Sequence, residues 1–130
     1  MPIRVELIDE AVDDLNRYVE SGKLPLFLKK LVHLEDAGKD AGLPLGGGLT
    51  GWRKIVVGDR NWRIVFTMND DETVATVWVI GDRDDAACYE DARRRVRALG
   101  KAQPETSSLA AVMLKLTQVR RQSRRRGKRV

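Results

Sequence analysis

Apolar and polar residues follow two different periods along this chain. In its middle, three apolar runs are separated by short breaks rich in glycine, aspartate and asparagine; they span residues 52–57, 62–69 and 73–81. Breaks this short allow only antiparallel hairpins, so the pattern predicts a three-stranded meander. The third run is almost continuous in β-forming residues, which predicts a strand covered on both faces.

The N-terminal part of the chain predicts one strand and two helices. Residues 3–7 alternate weakly, as a short strand would. A helical apolar stripe follows, for which Asp9 or Asp14 supplies a start. A second stripe begins near Leu24 and ends at Gly38. The two stripes together predict a helical hairpin.

Two more helices are predicted after the meander. Residues 86–99 form a charged amphipathic segment that stops at Gly100. Apolar residues then recur at spacings of three and four over residues 105–121, where Thr106 or Ser107 would cap the helix. This last helix has three open uses: docking on the core, pairing with a second copy or a partner helix, or lying on a membrane surface.

The predicted order is therefore β-α-α-β-β-β-α plus a C-terminal amphipathic helix. It indicates an α+β fold in which the N-terminal strand and the helical hairpin pack on an antiparallel β-sheet. We predict one domain over residues 1–100 and an appendage over residues 101–130, made of the helix at 105–121 and an arginine-rich tail.

Charge changes sign at the same boundary. Residues 1–100 carry 15 basic and 18 acidic residues, a net charge of −3, whereas residues 101–130 carry nine basic residues against Glu105 alone, a net charge of +8. Arg124, Arg125 and Arg126 lie in the most basic part. The tail predicts an arm that binds RNA, another nucleic acid or an acidic partner; the alternative is a solvated tail without a partner.

Several classes of protein are disfavoured by composition. No run of about 18 apolar residues exists, and the N-terminus lacks the apolar run of a signal peptide, so neither a membrane location nor export is expected. Cys88 is the single cysteine and His33 the single histidine, which leaves no disulfide and no metal-ligand cluster. We expect a cytoplasmic protein without a metal or cofactor.

Arginines recur where the predicted strands start or stop. Arg53, Arg63 and Arg83 hold such positions, and Tyr89 follows near the start of the charged helix. Cations at strand ends with one aromatic residue favour a phosphate-rich partner over a small apolar ligand.

The same residues carry a resemblance. The motifs, in chain order, are Leu49-Thr50-Gly51-Trp52-Arg53-Lys54, Trp62-Arg63-Ile64-Val65-Phe66, Ile80-Gly81-Asp82-Arg83 and Tyr89. This series resembles the RelE/ParE toxin superfamily of bacterial type II toxin–antitoxin systems, over roughly residues 3–97. The resemblance implies a RelE-like fold, a cognate antitoxin partner, and one of two targets. RelE-like members cut mRNA in the ribosomal A site, whereas ParE-like members poison DNA gyrase and need no nuclease residues.

RNA cleavage by the 2′-hydroxyl needs a base, an acid, a stabiliser of the phosphorane and a splayed nucleotide. The resemblance implies four catalytic residues for these tasks. Lys54 would be the general base, Arg63 would stabilise the phosphorane, and Arg83 would bind phosphate or protonate the leaving oxygen. Tyr89 would stack on the nucleotide.

Further contacts to RNA are expected from the basic tail and from Arg53, Arg60 and Trp62. Either Trp52 or Trp62 could stack on a base, the alternative being sheet packing.

Some positions depart from the RelE-like pattern. Val56 stands where a second basic residue is frequent, and Asp82, Asp84 and Asp85 surround Arg83. Carboxylates near a phosphate site repel RNA, unless they point away from it. We predict a ribosome-dependent mRNA endoribonuclease that inhibits translation and growth. The alternatives are a ParE-like gyrase inhibitor and a catalytically degenerate nucleic-acid-binding module of the same fold.

Overall fold

The structure, a computed structural model, describes residues 2–45, 51–82 and 84–116. The strands in these ranges are β1 (Arg4–Ile8), β2 (Leu43–Pro44), β3 (Trp52–Val57), β4 (Trp62–Met68), β5 (Val74–Asp82) and β6 (Thr106–Ser108). The helices are α1 (Asp9–Asn16), α2 (Leu24–Ala37), α3 (Asp85–Leu99) and α4 (residues 109–116), with a short 3₁₀ helix (Gly38–Ala41) after α2. Within these ranges no helix is long and apolar enough to cross a membrane.

The strands form one sheet in the order β2-β3-β4-β5-β1-β6. The predicted meander is confirmed, because β3, β4 and β5 pair antiparallel in sequence order. β1 joins β5 in parallel, with Arg4 opposite Val74 and Leu7 opposite Val77. The α+β class is therefore confirmed, but the sheet is mixed rather than antiparallel throughout.

Helices cover both faces of this sheet. Buried side chains of α1, α2 and α4 form the larger core with one face, around Phe27, Ile64 and Phe66. A smaller core lies on the other face, where Cys88 and Ala92 of α3 pack against β4 and β5. β5 contributes to both cores, as its continuous apolar run predicts.

The prediction of a helix from residue 105 is wrong at its start. Thr106–Ser108 form β6 on the outer edge of β1, where the Thr106 hydroxyl donates to Glu6 Oε2 at 3.1 Å. The helix begins only at residue 109, and its cap is Ser108, whose Oγ accepts the Ala111 N–H at 3.2 Å. Three residues are drawn into a strand because the edge of β1 offers unpaired backbone groups.

Docking on the core is the use of the C-terminal helix that the structure has. Leu109, Val112 and Leu116 of α4 are buried in the larger core. Residues 117–121 and the arginine-rich tail lie outside the described residues. The division of the chain into units at residue 100 stays a prediction.

The connector predicted over residues 43–51 contains a strand at its start. Leu43 and Pro44 form β2 against Lys54 and Arg53 of β3. Gly42 precedes it and has no room for a side chain, since a Cβ there would lie 2.6 Å from the Phe66 ring and 2.9 Å from the Lys54 carbonyl oxygen. The close approach holds the start of β2 against the strand that carries Lys54.

β5 extends beyond the end of β1, which leaves backbone groups of β5 without a strand partner there. Asp14 Oδ2 accepts the Ile80 N–H at 3.0 Å, and Arg95 Nη1 donates to the Trp78 carbonyl at 2.7 Å. Arg95 also donates to both oxygens of Asp14, at 2.6 and 3.0 Å. Since Asp14 is only 4% exposed, this buried ion pair joins α1, β5 and α3.

Candidate nucleic-acid interface

Lys54 and Arg63 lie on the face of the sheet that α3 covers. Side chains alternate along a strand, and Lys54 of β3 stands opposite Val65 of β4, two residues beyond Arg63. Val65 belongs to the smaller core beneath α3. Both cationic side chains are largely enclosed, with 17% of Lys54 and 12% of Arg63 exposed.

Asp85, the first residue of α3, binds both cations. Its Oδ2 accepts a hydrogen bond from Lys54 Nζ, and its Oδ1 accepts one from Arg63 Nε at 2.8 Å. Burial alone would raise the pKa of Asp85, but the hydrogen bonds from Lys54 and Arg63 outweigh it and hold the pKa below its usual value. The carboxylate is therefore ionised at neutral pH and remains 42% exposed to solvent.

The guanidinium of Arg63 is oriented by a second set of contacts. Its Nη1 donates to the carbonyl oxygens of Arg60, at 2.9 Å, and Trp62, at 3.1 Å. Arg60 takes a positive φ of 67° in the β3–β4 turn, which aims its carbonyl at this guanidinium. Arg60 therefore contributes to the site through its backbone, and its exposed side chain stays a predicted RNA contact.

Tyr89 follows Asp85 by one helical turn on α3. Residues four apart share a helix face, so Tyr89 lies on the same side of α3 as the carboxylate that binds Lys54 and Arg63. Its ring packs partly buried against the smaller core, and the Arg93 guanidinium lies 5.6 Å from the ring centroid. We call Lys54, Arg63, Asp85 and Tyr89 the candidate site. Arg83 lies outside the described residues.

Two of the predicted RNA-binding residues point to the opposite face of the sheet. Arg53 donates to the carbonyl oxygens of Lys39, at 3.0 Å, and Gly42, at 2.6 Å, and so holds the 3₁₀ helix. The Trp62 ring packs against Tyr18 and Phe27 of the helical hairpin segment. Each residue is next in sequence to a site residue, and strand alternation sends neighbours to opposite faces. The predicted contacts of Arg124, Arg125 and Arg126 fall outside the described ranges.

A groove continues the candidate site along α3. It has a volume of about 240 Å³ and is lined by Trp52, Arg93, Val96 and Arg97. Trp52 packs on Trp78 with a ring-centroid distance of 5.5 Å. We call this feature the α3 groove.

The three aspartates that surround Arg83 in sequence have different tasks. Asp84 caps α3 by accepting the Ala87 N–H at 3.1 Å, and Asp82 is exposed at the end of β5. Asp85 alone points into the site. The sequence pattern treated all three as sources of repulsion and missed that Asp85 is a direct partner of Lys54 and Arg63.

Neither the cysteine nor the histidine belongs to a reactive centre. Cys88 is buried, and burial, reinforced by Asp91 and Asp85, raises its pKa to about 11, so its thiol stays protonated at neutral pH. His33 is an exposed residue of α2, on the opposite side of the sheet. Within the described ranges, no three histidine, cysteine or acidic residues lie together as metal ligands would.

Solved structures share this architecture. A double arginine-to-alanine mutant of the Escherichia coli toxin RelE in the free state superposes with a TM-score of 0.58, over 74% of this chain and 99% of that one, at 20% identity. The chain has the fold of the RelE-like toxins. No protein-family model matches the sequence, and neither does any curated protein.

Two further RelE-like structures agree with this assignment of the fold. The RelBE2 toxin–antitoxin complex from Mycobacterium tuberculosis matches with a TM-score of 0.54 and 19% identity, over 64% of this chain and 100% of that one. The isolated E. coli RelE toxin matches with a TM-score of 0.51 and 21% identity, over 74% of this chain and 99% of that one. The RelE-like part thus covers whole toxin chains but leaves part of this chain unmatched.

Proposed function

We propose that this protein is the toxin of a toxin–antitoxin system and that it cleaves mRNA on the ribosome. The observation that carries the proposal is the convergence of Lys54 and Arg63 on one carboxylate. A carboxylate and a phosphate present similar oxygen acceptors to such donors. The position of the Asp85 carboxylate therefore marks where the phosphate of an RNA strand would bind.

The proposed reaction transfers a phosphoryl group within the RNA strand. The 2′-oxygen forms a bond to the adjacent phosphorus while the bond from phosphorus to the 5′-oxygen breaks, giving a 2′,3′-cyclic phosphate and a 5′-hydroxyl. Arg63 stabilises the charge of the phosphorane, and Tyr89 stacks on the splayed nucleotide. Arg83 supplies a further phosphate contact or the proton for the leaving 5′-oxygen.

Lys54 takes the proton from the 2′-hydroxyl in this proposal. A lysine ammonium has three donors and no acceptor, so Lys54 acts as a base only after it has lost a proton and left Asp85. Substrate binding therefore includes an exchange of anions, in which the RNA phosphate replaces the Asp85 carboxylate beside Lys54 and Arg63.

An antitoxin is the proposed protein partner, and the cytoplasm is the proposed location. The RelBE2 neighbour is a toxin–antitoxin complex, and 100% of its matched chain superposes on this one. The ribosome and mRNA complete the set of proposed partners, with the basic tail supplying attraction to RNA.

Inhibition of DNA gyrase without RNA cleavage is the second candidate function. Asp85 favours it, because one carboxylate neutralises part of the charge of both cations that the nuclease reaction needs. A catalytically degenerate nucleic-acid-binding module would share this feature.

The deciding experiment is induction of the protein alone in bacteria, with growth and the 5′ ends of cellular mRNA recorded. Variants Arg63→Ala and Lys54→Ala are compared with Arg94→Ala, a matched control on the exposed side of α3. Growth arrest with new 5′ ends inside reading frames, lost in both site variants and kept in the control, is expected. Arrest without new ends, together with loss of gyrase supercoiling activity, would replace the proposal with the gyrase alternative.

A further inference from the structure

We propose that the α3 groove binds the RNA strand beside the cleaved nucleotide, with phosphates on Arg93 and Arg97 and a base on Trp52. The proposal rests on the function proposed above and adds a second binding site to it. The candidate site holds one phosphate and one nucleotide, whereas a groove that continues it would hold the flanking strand.

The sequence of α3 places the groove in line with the candidate site. Asp85, Tyr89, Arg93 and Arg97 follow one another at intervals of four residues, so they form one row along a single helix face. Each interval advances about 6 Å along the helix axis. The row begins at the carboxylate bound to Lys54 and Arg63 and ends beside Trp52.

Charge separates the groove arginines from their neighbours on α3. Arg94 pairs with Asp91 at 2.8 Å, and Arg95 pairs with the buried Asp14. Arg93 and Arg97 are exposed, and neither has a carboxylate within ion-pair distance among the described residues. Their charge is available to an anion, in contrast to that of Lys54 and Arg63.

The opposite wall of the groove is a fixed aromatic ring. Trp52 packs on Trp78, and the Trp78 indole is itself held by a hydrogen bond from its Nε1 to Thr67 Oγ1 at 2.9 Å. Val96 adds an apolar surface that is 38% exposed. Guanidinium groups beside an aromatic ring suit single-stranded nucleic acid, since phosphates bind the cations while any base stacks on the ring.

Fluorescence anisotropy of a fluorescein-labelled 12-nucleotide oligouridine, titrated with the full-length protein over a range of NaCl concentrations, tests the proposal. The groove variant is Arg93→Gln/Arg97→Gln. Its matched control is Arg94→Gln/Lys101→Gln, which removes the same charge from exposed positions outside the groove. The salt slope isolates individual phosphate contacts even though the basic tail also binds RNA.

The groove variant is expected to bind the oligonucleotide on the order of tenfold more weakly. Its plot of log affinity against log salt should be shallower by about 1.4, since each single-strand phosphate contact contributes about 0.7. The control should keep the wild-type slope. A slope unchanged in the groove variant would overturn the proposal, as would a groove whose substitution weakens binding of polyglutamate but not of RNA.

The aromatic wall is tested separately with Trp52→Leu and Trp52→Phe. Loss of stacking should weaken binding on the order of tenfold in the leucine variant without changing the salt slope, and phenylalanine should restore most of it. Thermal melts show whether both variants fold, and the phenylalanine variant keeps the test valid if leucine disturbs Trp78. Equal affinity of wild type and both variants would overturn the role of Trp52.

The groove and the nuclease fail in different ways. New mRNA ends that depend on Arg63, together with unchanged RNA binding in the groove variants, would remove the groove proposal and keep the nuclease. Weaker RNA binding in the groove variants, with no cleavage by wild type, would keep the groove as an RNA site and remove the nuclease.

Discussion

Single residues decide whether the candidate site is open to a phosphate. Lys54 and Arg63 could be predicted from their place beside strand ends and from the resemblance to RelE-like toxins. Asp85 could not be assigned as their partner, because its contact joins residues 31 and 22 positions apart. Local patterns show which face of a strand a side chain takes, but not which helix terminus packs over it.

Replacement of Asp85 by asparagine should strengthen binding of anions at the candidate site. Asparagine keeps the shape of the side chain and removes the charge that competes with phosphate for Lys54 and Arg63. We expect affinity for the labelled oligouridine to rise several-fold, measured by anisotropy at constant salt, with Asp84→Asn as the control. Weaker binding by the Asp85 variant would mean that Asp85 holds the two cations in place for RNA.

The same ion pairs predict a pH dependence of stability. The folded-state pKa of Asp85 lies below its unfolded value, near 3.9, so its stabilising contribution is complete above that value and disappears as pH falls through the lowered pKa. Urea unfolding of wild type and Asp85→Asn should differ at pH 7 and converge below about pH 3. The difference should be small, since the carboxylate is 42% exposed; a difference that persists in strong acid would contradict the assignment.

Gly42→Ala should destabilise the protein by about 1–3 kcal/mol. The new methyl group would meet the Phe66 ring at 2.6 Å and the Lys54 carbonyl at 2.9 Å, and neither the core ring nor the strand backbone can move freely. Chemical denaturation measures the change. Gly22→Ala is the comparison, because its Cβ meets nothing within 4 Å, although its φ of +76° adds some strain.

Elements were predicted well where periodicity and turn length act together. The meander follows from three apolar runs and two short breaks, and α2 was placed at Leu24–Ala37 by its stripe and by Gly38. β6 was missed because residues 106–108 continue a helical spacing. Their strand conformation comes from pairing with β1, about a hundred residues earlier in the chain.

The buried pair of Asp14 and Arg95 should be the most sensitive contact between elements. Asp14→Ala would leave Arg95 and the Ile80 N–H without their acceptor, and we expect a loss of about 3–5 kcal/mol in the free energy of unfolding. Asp91→Ala breaks the exposed pair with Arg94 and should cost at most about 1 kcal/mol. Equal effects of both substitutions, measured by urea unfolding, would contradict this ranking.

Across the whole molecule, residues beyond α3 complete the sheet and the larger core. β6 extends the sheet beside β1, and α4 buries Leu109, Val112 and Leu116. The predicted boundary at residue 100 followed the change in charge, which reports on solvent-facing residues and not on packing. Charge therefore located the basic tail, while burial in α4 depends on contacts that only the folded chain contains.

Truncation distinguishes the roles of these two parts. A chain that ends at Gly100 loses three buried apolar side chains, each worth about 1.5–3 kcal/mol, and should lose cooperative unfolding. A chain that ends at Leu116 should keep its thermal transition and bind oligouridine with a shallower salt slope. Circular dichroism and anisotropy measure both, and a cooperative transition in the shorter chain would support residues 1–100 as an independent domain.

The pairing of β1 also sets the order in which this protein can fold. β1 is made first, but its parallel partner β5 follows some seventy residues later, and its other neighbour, β6, about a hundred residues later. Such distant pairings close large loops and slow folding. A nascent chain on the ribosome therefore holds an unpaired β1 until the meander has emerged, and the core beneath α4 closes only afterwards. If the protein acts on ribosomes, the one that makes it carries an unfinished copy for most of its synthesis.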